Sequence, residues 1–404
     1  MKTIRQEQLN FLDWEFGVFF HFGLRTFYEG HRDWDGKPMA LAAFDPQDLS
    51  CEEWISAVEE AGAKYAVLVC KHHDGFANWP SAYTDYGVKN TPWKDGNGDV
   101  VGEFVTACRR HGIRIGLYYS PAQAGWEQQS AKDYDDYFIN QVTELLTQYG
   151  AIDYLWFDGC GSEGHCYDTQ RIVQAIRSCQ PNILLFNMWD PDTRWVGNES
   201  GLADSPNPLW VDAVDVSVRT EEKDTLSSGR FLPAECDCRM RLENWFYSDL
   251  DGHTVKSVDE LMGLYYYSVG RGANLLINIG PDRTGRLPQP DREKLLELGR
   301  RIRMLEESTV SCQVAAEGSK LTVTMEMGLV NHVTLEEVPG ENMVESFEIR
   351  AYPVPYGAPI TLYRGTTIGH KAICPFPTVR TKKLEILLDR EAPVTVSPRY
   401  LPRF

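Results

Sequence analysis

No run of apolar residues in this 404-residue chain approaches the roughly 20 needed to cross a bilayer. The opening MKTIRQEQLNFLDWEF has neither an apolar signal region nor a small-residue cleavage site, so a cytoplasmic protein with no membrane partner is expected. Clustered Lys and Arg are missing too. With 40 basic against 58 acidic residues and a net charge of -18, nucleic acid is excluded as a partner and a neutral or cationic ligand is favoured. Ten cysteines contain no C-x-x-C pair, which argues against a zinc knuckle. The best residual metal pattern, Cys160, His165 and Cys166 with Cys236 and Cys238, has poor zinc spacing. There is no G-x-S-x-G elbow and no P-loop lysine, so serine-hydrolase and NTPase chemistry lack their starting residues.

What is present is an alternation. Apolar runs at 17–23, 65–70, 114–120, 152–159, 183–187, 212–219 and 274–280 are separated, for the most part, by amphipathic segments. Such alternation implies an α/β fold with a parallel sheet buried on both faces. Polar residues close consecutive runs: His21, then His72 and His73, then Tyr119 and Ser120, then Asp158, then Asn187. Functional groups at many strand ends converge only in a (β/α)8-like TIM barrel, whereas an open sheet gathers them at one switch point. A barrel domain is therefore expected over residues 1–307. From 308 to 404 short alternating runs broken by Gly and Pro, such as KLTVTMEM and KKLEILLD, predict a C-terminal β-sandwich domain.

The loop after YLWFD spells G-x-G-x-x-G from Gly159 to Gly164. A dinucleotide fingerprint opens the first βαβ unit and starts a helix within itself; this one follows the fourth strand, and its helix pattern begins only near Tyr167. Asp158 would also set a negative charge against a pyrophosphate. The better reading is a strand-end carboxylate with small neighbours that leave it reachable, suited to a nucleophile.

Partners for it lie in FNMWDPDTRWVGNESG, which joins Trp189 and Trp195 to Asp190, Asp192 and Glu199. Sugar rings stack on indoles while carboxylates accept their hydroxyl hydrogens. Glycoside hydrolysis needs a second carboxyl group, protonated where the first is ionised. Glu199, Glu235 and Glu243 are the candidates. His21, His72 and His73 could bind hydroxyls or a metal. The H-x-H of barrel metallohydrolases is absent, so hydroxyl binding is favoured, with no metal and no cofactor.

These residues together resemble a known family. FGVFFHFG, VCKHHDGFANWPSAYTDYGV, GLYYSP, YLWFDG, RWVGNESG and SVGRGANLLINIGPDRTGRL are similar to glycoside hydrolase family 29, the α-L-fucosidases, in the same order over most of residues 10–305. YRGTTIGHKAI resembles the family's C-terminal β-domain. The resemblance implies a retaining exo-acting enzyme that takes terminal α-L-fucose from a fucosylated oligosaccharide through a covalent intermediate on Asp158. It implies Glu199 as acid/base, since RWVGNESG resembles that segment in the α-1,3/1,4-linkage subgroup. It also implies sugar binding by His21, His72, His73 and Trp79, with Tyr119 a further candidate. Where relatives commonly carry Glu-Trp this chain reads Asp33-Trp34, a shorter carboxylate for which Glu29 could compensate. The segment CRMRLENWFY replaces a shorter one, which bears on aglycone preference. Rival readings are an exo-glycosidase for another deoxy or galacto sugar, a catalytically silent carbohydrate-binding protein, and a metal-dependent barrel hydrolase. A homo-oligomer is compatible with all of them.

Overall fold

The computed structural model describes residues 4–30, 39–122, 131–162, 164–217, 223–340, 343–352 and 357–402. Its first elements are α1 (Gln6–Leu12), β1 (Phe16–Phe20), α2 (Cys51–Ala61), β2 (Tyr65–Lys71), α3 (Val100–His111), β3 (Arg114–Tyr119), α4 (Ala131–Gln148), β4 (Tyr154–Phe157), α5 (Thr169–Cys179) and β5 (Leu184–Phe186). There follow β6 (Arg194–Trp195), β7 (Trp210–Asp215), β8 (Lys223–Phe231), β9 (Ala234–Arg239), α6 (Val258–Tyr267), β10 (Ala273–Ile279) and α7 (Gln289–Glu307). The helices begin where the sequence offers caps. Ser50 and Asp99 accept the backbone N–H of Glu53 and Gly102 at the starts of α2 and α3, and α3 ends on Gly112 at φ 66°.

Eight parallel strands form one sheet in the order β5-β4-β3-β2-β1-β10-β9-β6. A bridge between Phe186 and Thr193 and the Asn187 N–H donated to the Thr193 carbonyl (3.0 Å) bring its two edges together. The result is a nearly closed TIM-like barrel. Two features depart from the alternation expected. The run at 212–219 supplies no barrel strand in its described part, 212–217: β7 pairs antiparallel with β8 in a separate hairpin. Its place in the ring is taken by β6, only two residues long, and β9, whose AECDCR pattern alternates acidic and small residues and so escapes a search for apolar runs. Among the described residues no helix follows β5 or β6.

Strand parity sorts the core. Phe19, Tyr65, Val67, Val69, Tyr118, Tyr154, Trp156, Leu184, Phe186 and Leu276 pack together inside the barrel with Phe11 and Trp14, so α1 and the turn after it plug the floor. Their neighbours Val18, Phe20, Ala66, Leu68, Leu117, Leu155, Leu185, Leu275 and Ile277 face the helices in the larger cluster.

The C-terminal part comprises β11 (Cys312–Glu317), β12 (Lys320–Glu337), β13 (Phe347–Ala351), β14 (Ile360–Gly365), β15 (Lys371–Leu388) and β16 (Val394–Arg399) in an antiparallel sheet. The long strands β12 and β15 slip register between Thr324 and Gly328 and between Val330 and His332. Both halves then contribute to one core, Leu321 and Val323 from one and Val333 and Leu335 from the other. This sheet meets the barrel at the N-terminal ends of its strands, where Lys371 pairs with Glu15 and His370 lies 3.1 Å from Asp13.

One interior group is acidic. Glu235 on β9 is fully buried and accepts from Tyr65 Oη (2.6 Å), Trp156 Nε1 (2.8 Å) and Tyr154 Oη (3.3 Å). Burial outweighs these donors and pushes its pKa up to about 7. A carboxyl raised on folding favours the native state fully below its unfolded pKa, and that contribution is lost as pH rises through the folded value. Between pH 5 and 8 the wild type should therefore lose on the order of 3 kcal/mol of stability relative to Glu235→Gln. Urea melts of both proteins across that range measure it, and a pH-independent difference would contradict a neutral buried Glu235.

Candidate active site

The C-terminal strand ends surround a cavity of ≈ 330 Å³. It is lined by His21 after β1, His72 and His73 after β2, Tyr118 of β3, Asp158 after β4, Asn187 after β5, Trp195 and Glu199 from β6 onward, Asp237 and Arg239 of β9, and Trp245 and Phe246 beyond. The inward parity of each strand carries over to these residues. Asp158 continues Tyr154 and Trp156, and Asp237 and Arg239 continue Glu235. β2 is the exception: a register shift before Lys71 sends its ammonium over the outward Tyr119 ring, 4.5 Å from the centroid, and both following histidines reach the cavity.

Asp158 is held at both oxygens. Tyr118 Oη donates to Oδ2 at 2.8 Å and the Cys160 N–H to Oδ1 at 2.8 Å, while His73 Nε2 lies 3.6 Å from Oδ2. The glycine after it has a steric role: a Cβ at Gly159 would lie 1.8 Å from the Val216 carbonyl oxygen. Only a glycine lets the residue that follows β7, at the turn end of the hairpin, pass this close to the carboxylate. The Ser162 N–H turns back to the Gly159 carbonyl (3.1 Å), and α5 starts outside the motif, as expected of a loop that is no phosphate cradle.

Glu199 faces Asp158 under different conditions. Burial is the largest influence and pushes its pKa up; the charge of Asp158 adds to the rise, while Arg239, a hydrogen bond from Trp245 and His72 oppose it. Arg239 Nη1 is 3.8 Å from its Oε2. Beneath it Asp237 is pushed well up, first by burial and then by the charge of Glu199, and accepts from Trp195 Nε1 at 2.7 Å. The cavity thus pairs a carboxylate fixed by donors with a carboxyl biased toward its acid form.

The histidines are each oriented from behind. His21 Nδ1 is 2.7 Å from Asn278 Oδ1 and His73 Nδ1 is 2.6 Å from Ser120 Oγ; His72 stacks on Tyr118 with ring centroids 5.4 Å apart. His72, His73 and Asp158 bring one ligand atom each within 4.8 Å of one another, a grouping that could hold a metal ion. Its carboxylate oxygens are already engaged by Tyr118 and Cys160.

Comparison with known proteins decides the family. The family model for α-L-fucosidase matches residues 2–307. The chain belongs to the α-L-fucosidase family. It is 34% identical to α-L-fucosidase 1 of Arabidopsis thaliana over 304 residues, 71% of this chain and 58% of that protein, so it spans less than two thirds of that relative's length. The solved structure of a glycoside hydrolase 29 family member from an unknown rumen bacterium is 30% identical with a TM-score of 0.87, covering 99% of this chain and 77% of that one. A Ruminococcus gnavus GH29 fucosidase solved with fucose shares the fold at 21% identity, with a TM-score of 0.84 over 98% of this chain and 94% of its own.

Within this family member the residues singled out from sequence divide. Asp158, Glu199, His21, His72, His73 and Trp195 meet at the cavity. Three others do not line it. Trp79 is fully buried and donates from Nε1 to Glu144 of α4 (3.0 Å); Tyr119 bonds Gln141 of the same helix (2.7 Å); Trp189 packs on Phe157 and Tyr167. For Tyr119 the reason is parity, since Tyr118 takes the inward position. Asp33 and Trp34 lie outside the described residues. Glu29 is engaged by Arg283 (2.8 Å) away from the cavity lining. Of the other acid candidates, Glu235 is sealed beneath the floor and Glu243 stands exposed at the rim. Cys160 lines the cavity whereas Cys236 and Cys238 are buried in the barrel wall, and among the described residues the five Cys and His positions form no ligand cluster. Asn187 was legible as a strand-end polar group and does line the cavity, whereas Tyr118, Asp237, Arg239, Trp245 and Asn278 escaped the sequence reading. Strand parity alone would have found Tyr118.

The electrostatic coupling gives an expected outcome. Asp158→Asn removes the charge that raises Glu199, so the pKa of Glu199 should fall below its wild-type value. A ¹³C NMR titration of the glutamate side chains, assigned with Glu199→Gln, measures it; an unchanged or higher value would separate the two groups.

Proposed function

We propose that this protein is a retaining exo-acting α-L-fucosidase that releases terminal α-L-fucose from oligosaccharides. The observation that carries the reading is the pairing in one cavity of Asp158, held by Tyr118 and Cys160, with Glu199, whose acid form is favoured by burial and by Asp158. Asp158 attacks the anomeric carbon while Glu199 protonates the departing glycosidic oxygen, leaving a covalent fucosyl-aspartate. Glu199, now a carboxylate, takes a proton from water as that water attacks the same carbon, and fucose leaves with its configuration retained. A raised pKa suits the first step, because the acid must still hold its proton at working pH.

The remaining assignments follow from that core. His21, His72 and His73 bind sugar hydroxyls and Trp195 offers an apolar edge, while RWVGNESG favours the α-1,3/1,4-linked subgroup. We place the domain division after residue 307, with the C-terminal sheet in a structural role; among the described residues it contributes nothing to the cavity lining. Among the described residues the ten cysteines form no disulfide, and one of them lines the cavity, which fits a cytoplasmic location. Among the described residues no helix is long and apolar enough to cross a membrane. The grouping of His72, His73 and Asp158 supports the metal-dependent reading as the rival.

Fucose release should be measured on an aryl α-L-fucoside, Lewis a and Lewis x trisaccharides, 2'-fucosyllactose and fucosyl-α-1,6-GlcNAc, each with and without EDTA. Release from the Lewis sugars untouched by EDTA is expected; loss with EDTA would transfer the reading to the metal hydrolase. Asp158→Ala should abolish turnover. Glu199→Ala should slow the glycans by about 100-fold or more but the aryl fucoside less, with azide restoring activity. NMR of the first product formed should show the α-anomer, and an initial β-anomer would rule out the covalent route.

A further inference from the structure

Asn278 takes no part in the chemistry above, yet it sits between two residues that line the cavity. On β10 and almost wholly buried, it donates from Nδ2 to the Trp245 carbonyl at 2.7 Å and presents Oδ1 to His21 Nδ1 at 2.7 Å. The carbonyl can only accept, so the amide nitrogen must face it and the amide oxygen must face the histidine. That oxygen in turn can only accept. The proton of a neutral His21 is therefore required on Nδ1, which leaves the lone pair on Nε2 at the opposite edge of the ring.

The ring cannot easily exchange its two nitrogens. Phe19 (4.5 Å between centroids), Trp245 (5.0 Å), Phe246 (5.3 Å) and His72 (5.4 Å) surround it. Trp245 also acts on Glu199, whose raised pKa it opposes. One amide thus sets the histidine's tautomer and anchors the loop that reaches the acid.

We propose that Asn278 is a positioning residue that locks His21 in the Nδ1–H tautomer, making this side of the cavity a receptor for a ligand hydroxyl that donates. The proposal rests on the fucosidase reading for the identity of the ligand, but the lock itself does not. A hydroxyl donates to Nε2; an ether oxygen, a carbonyl or a fluorine at the same place offers only lone pairs and is rejected. No bond is made or broken in this role.

Long-range ¹⁵N–¹H correlation of histidine-labelled free protein, with His21 assigned by His21→Gln, tests the lock without any substrate. Wild type should show the proton on Nδ1, and a neutral ring protonated on Nε2 would overturn the proposal whatever the activity proves to be. In Asn278→Ala the Nε2–H form should appear and KM for the aryl α-L-fucoside should rise about tenfold with kcat moving far less. An unchanged tautomer and KM in a folded variant would also overturn it. Asn278→Asp keeps the accepting oxygen in place and serves if the alanine variant does not fold. Its carboxylate should hold a second proton on His21 near neutral pH, so KM should worsen as pH falls, and a pH-independent KM would count against the lock. Among monodeoxy and monodeoxyfluoro aryl fucosides, one position should show fluorine failing to restore what the missing hydroxyl cost, and Asn278→Ala should shrink that penalty. Absence of all fucoside hydrolysis with the predicted wild-type tautomer would sink the fucosidase reading and leave the lock standing.

Discussion

Everything at this active site hangs on the two-residue period of a β-strand inside a nearly closed parallel sheet. Each of the eight strands gives alternate residues to the barrel axis and to the helices. The interior is too narrow to stay empty, so it fills in layers. Phe11 and Trp14 plug the N-terminal end, and an aromatic layer of Tyr65, Tyr154 and Trp156 is tied together by the single carboxyl of Glu235. A carboxyl in that position is costly to ionise, and its three donors are what make it tolerable there. It holds the indole of Trp156 from below, and Trp156 stacks between Tyr118 and Phe186 as part of the cavity lining.

Above that floor the same parity stacks further acids. Glu235, Asp237 and Arg239 climb β9 on one face, and Glu199 and Asp158 complete the mouth. Like charges so close cannot all be ionised at small cost. Burial pushes Glu199 and Asp237 up, and hydrogen-bond donors converge on Asp158. Two carboxyls in opposed environments therefore share one cavity. The chain's excess of negative charge fits an uncharged ligand that needs hydroxyl acceptors rather than counter-ions.

Much of this was legible in advance. Apolar runs bounded by polar residues marked β1 to β5 and β10 to within about three residues at each end, and the polar ends His21, His72, His73 and Asp158 do converge on one cavity. The reading failed where strand character was not carried by apolar residues. β9 hid because its inward positions are charged, and β6 because two residues have no period. The run at 212–219 misled because the strand within it, β7, pairs with β8 in a hairpin instead of joining the barrel. Trp189 drew attention as an indole near acids and Trp79 through the family resemblance, but each satisfies itself against a helix or a neighbouring ring.

By itself the sequence determined the barrel, the C-terminal β-structure, the strand-end Asp158 and the acidic loop that carries Glu199, because these are set by local period and by neighbours along the chain. Only the tertiary structure decided that Tyr118 rather than Tyr119 meets Asp158, that Glu235 is sealed while Glu199 is reachable, and that Gly159 is needed for the passage of Val216. It alone set Asn278 behind His21, 257 positions away in the chain. Burial, proton preference and hydrogen-bond partnership are properties of the space between strands, and strands that are neighbours in that space are distant in the chain.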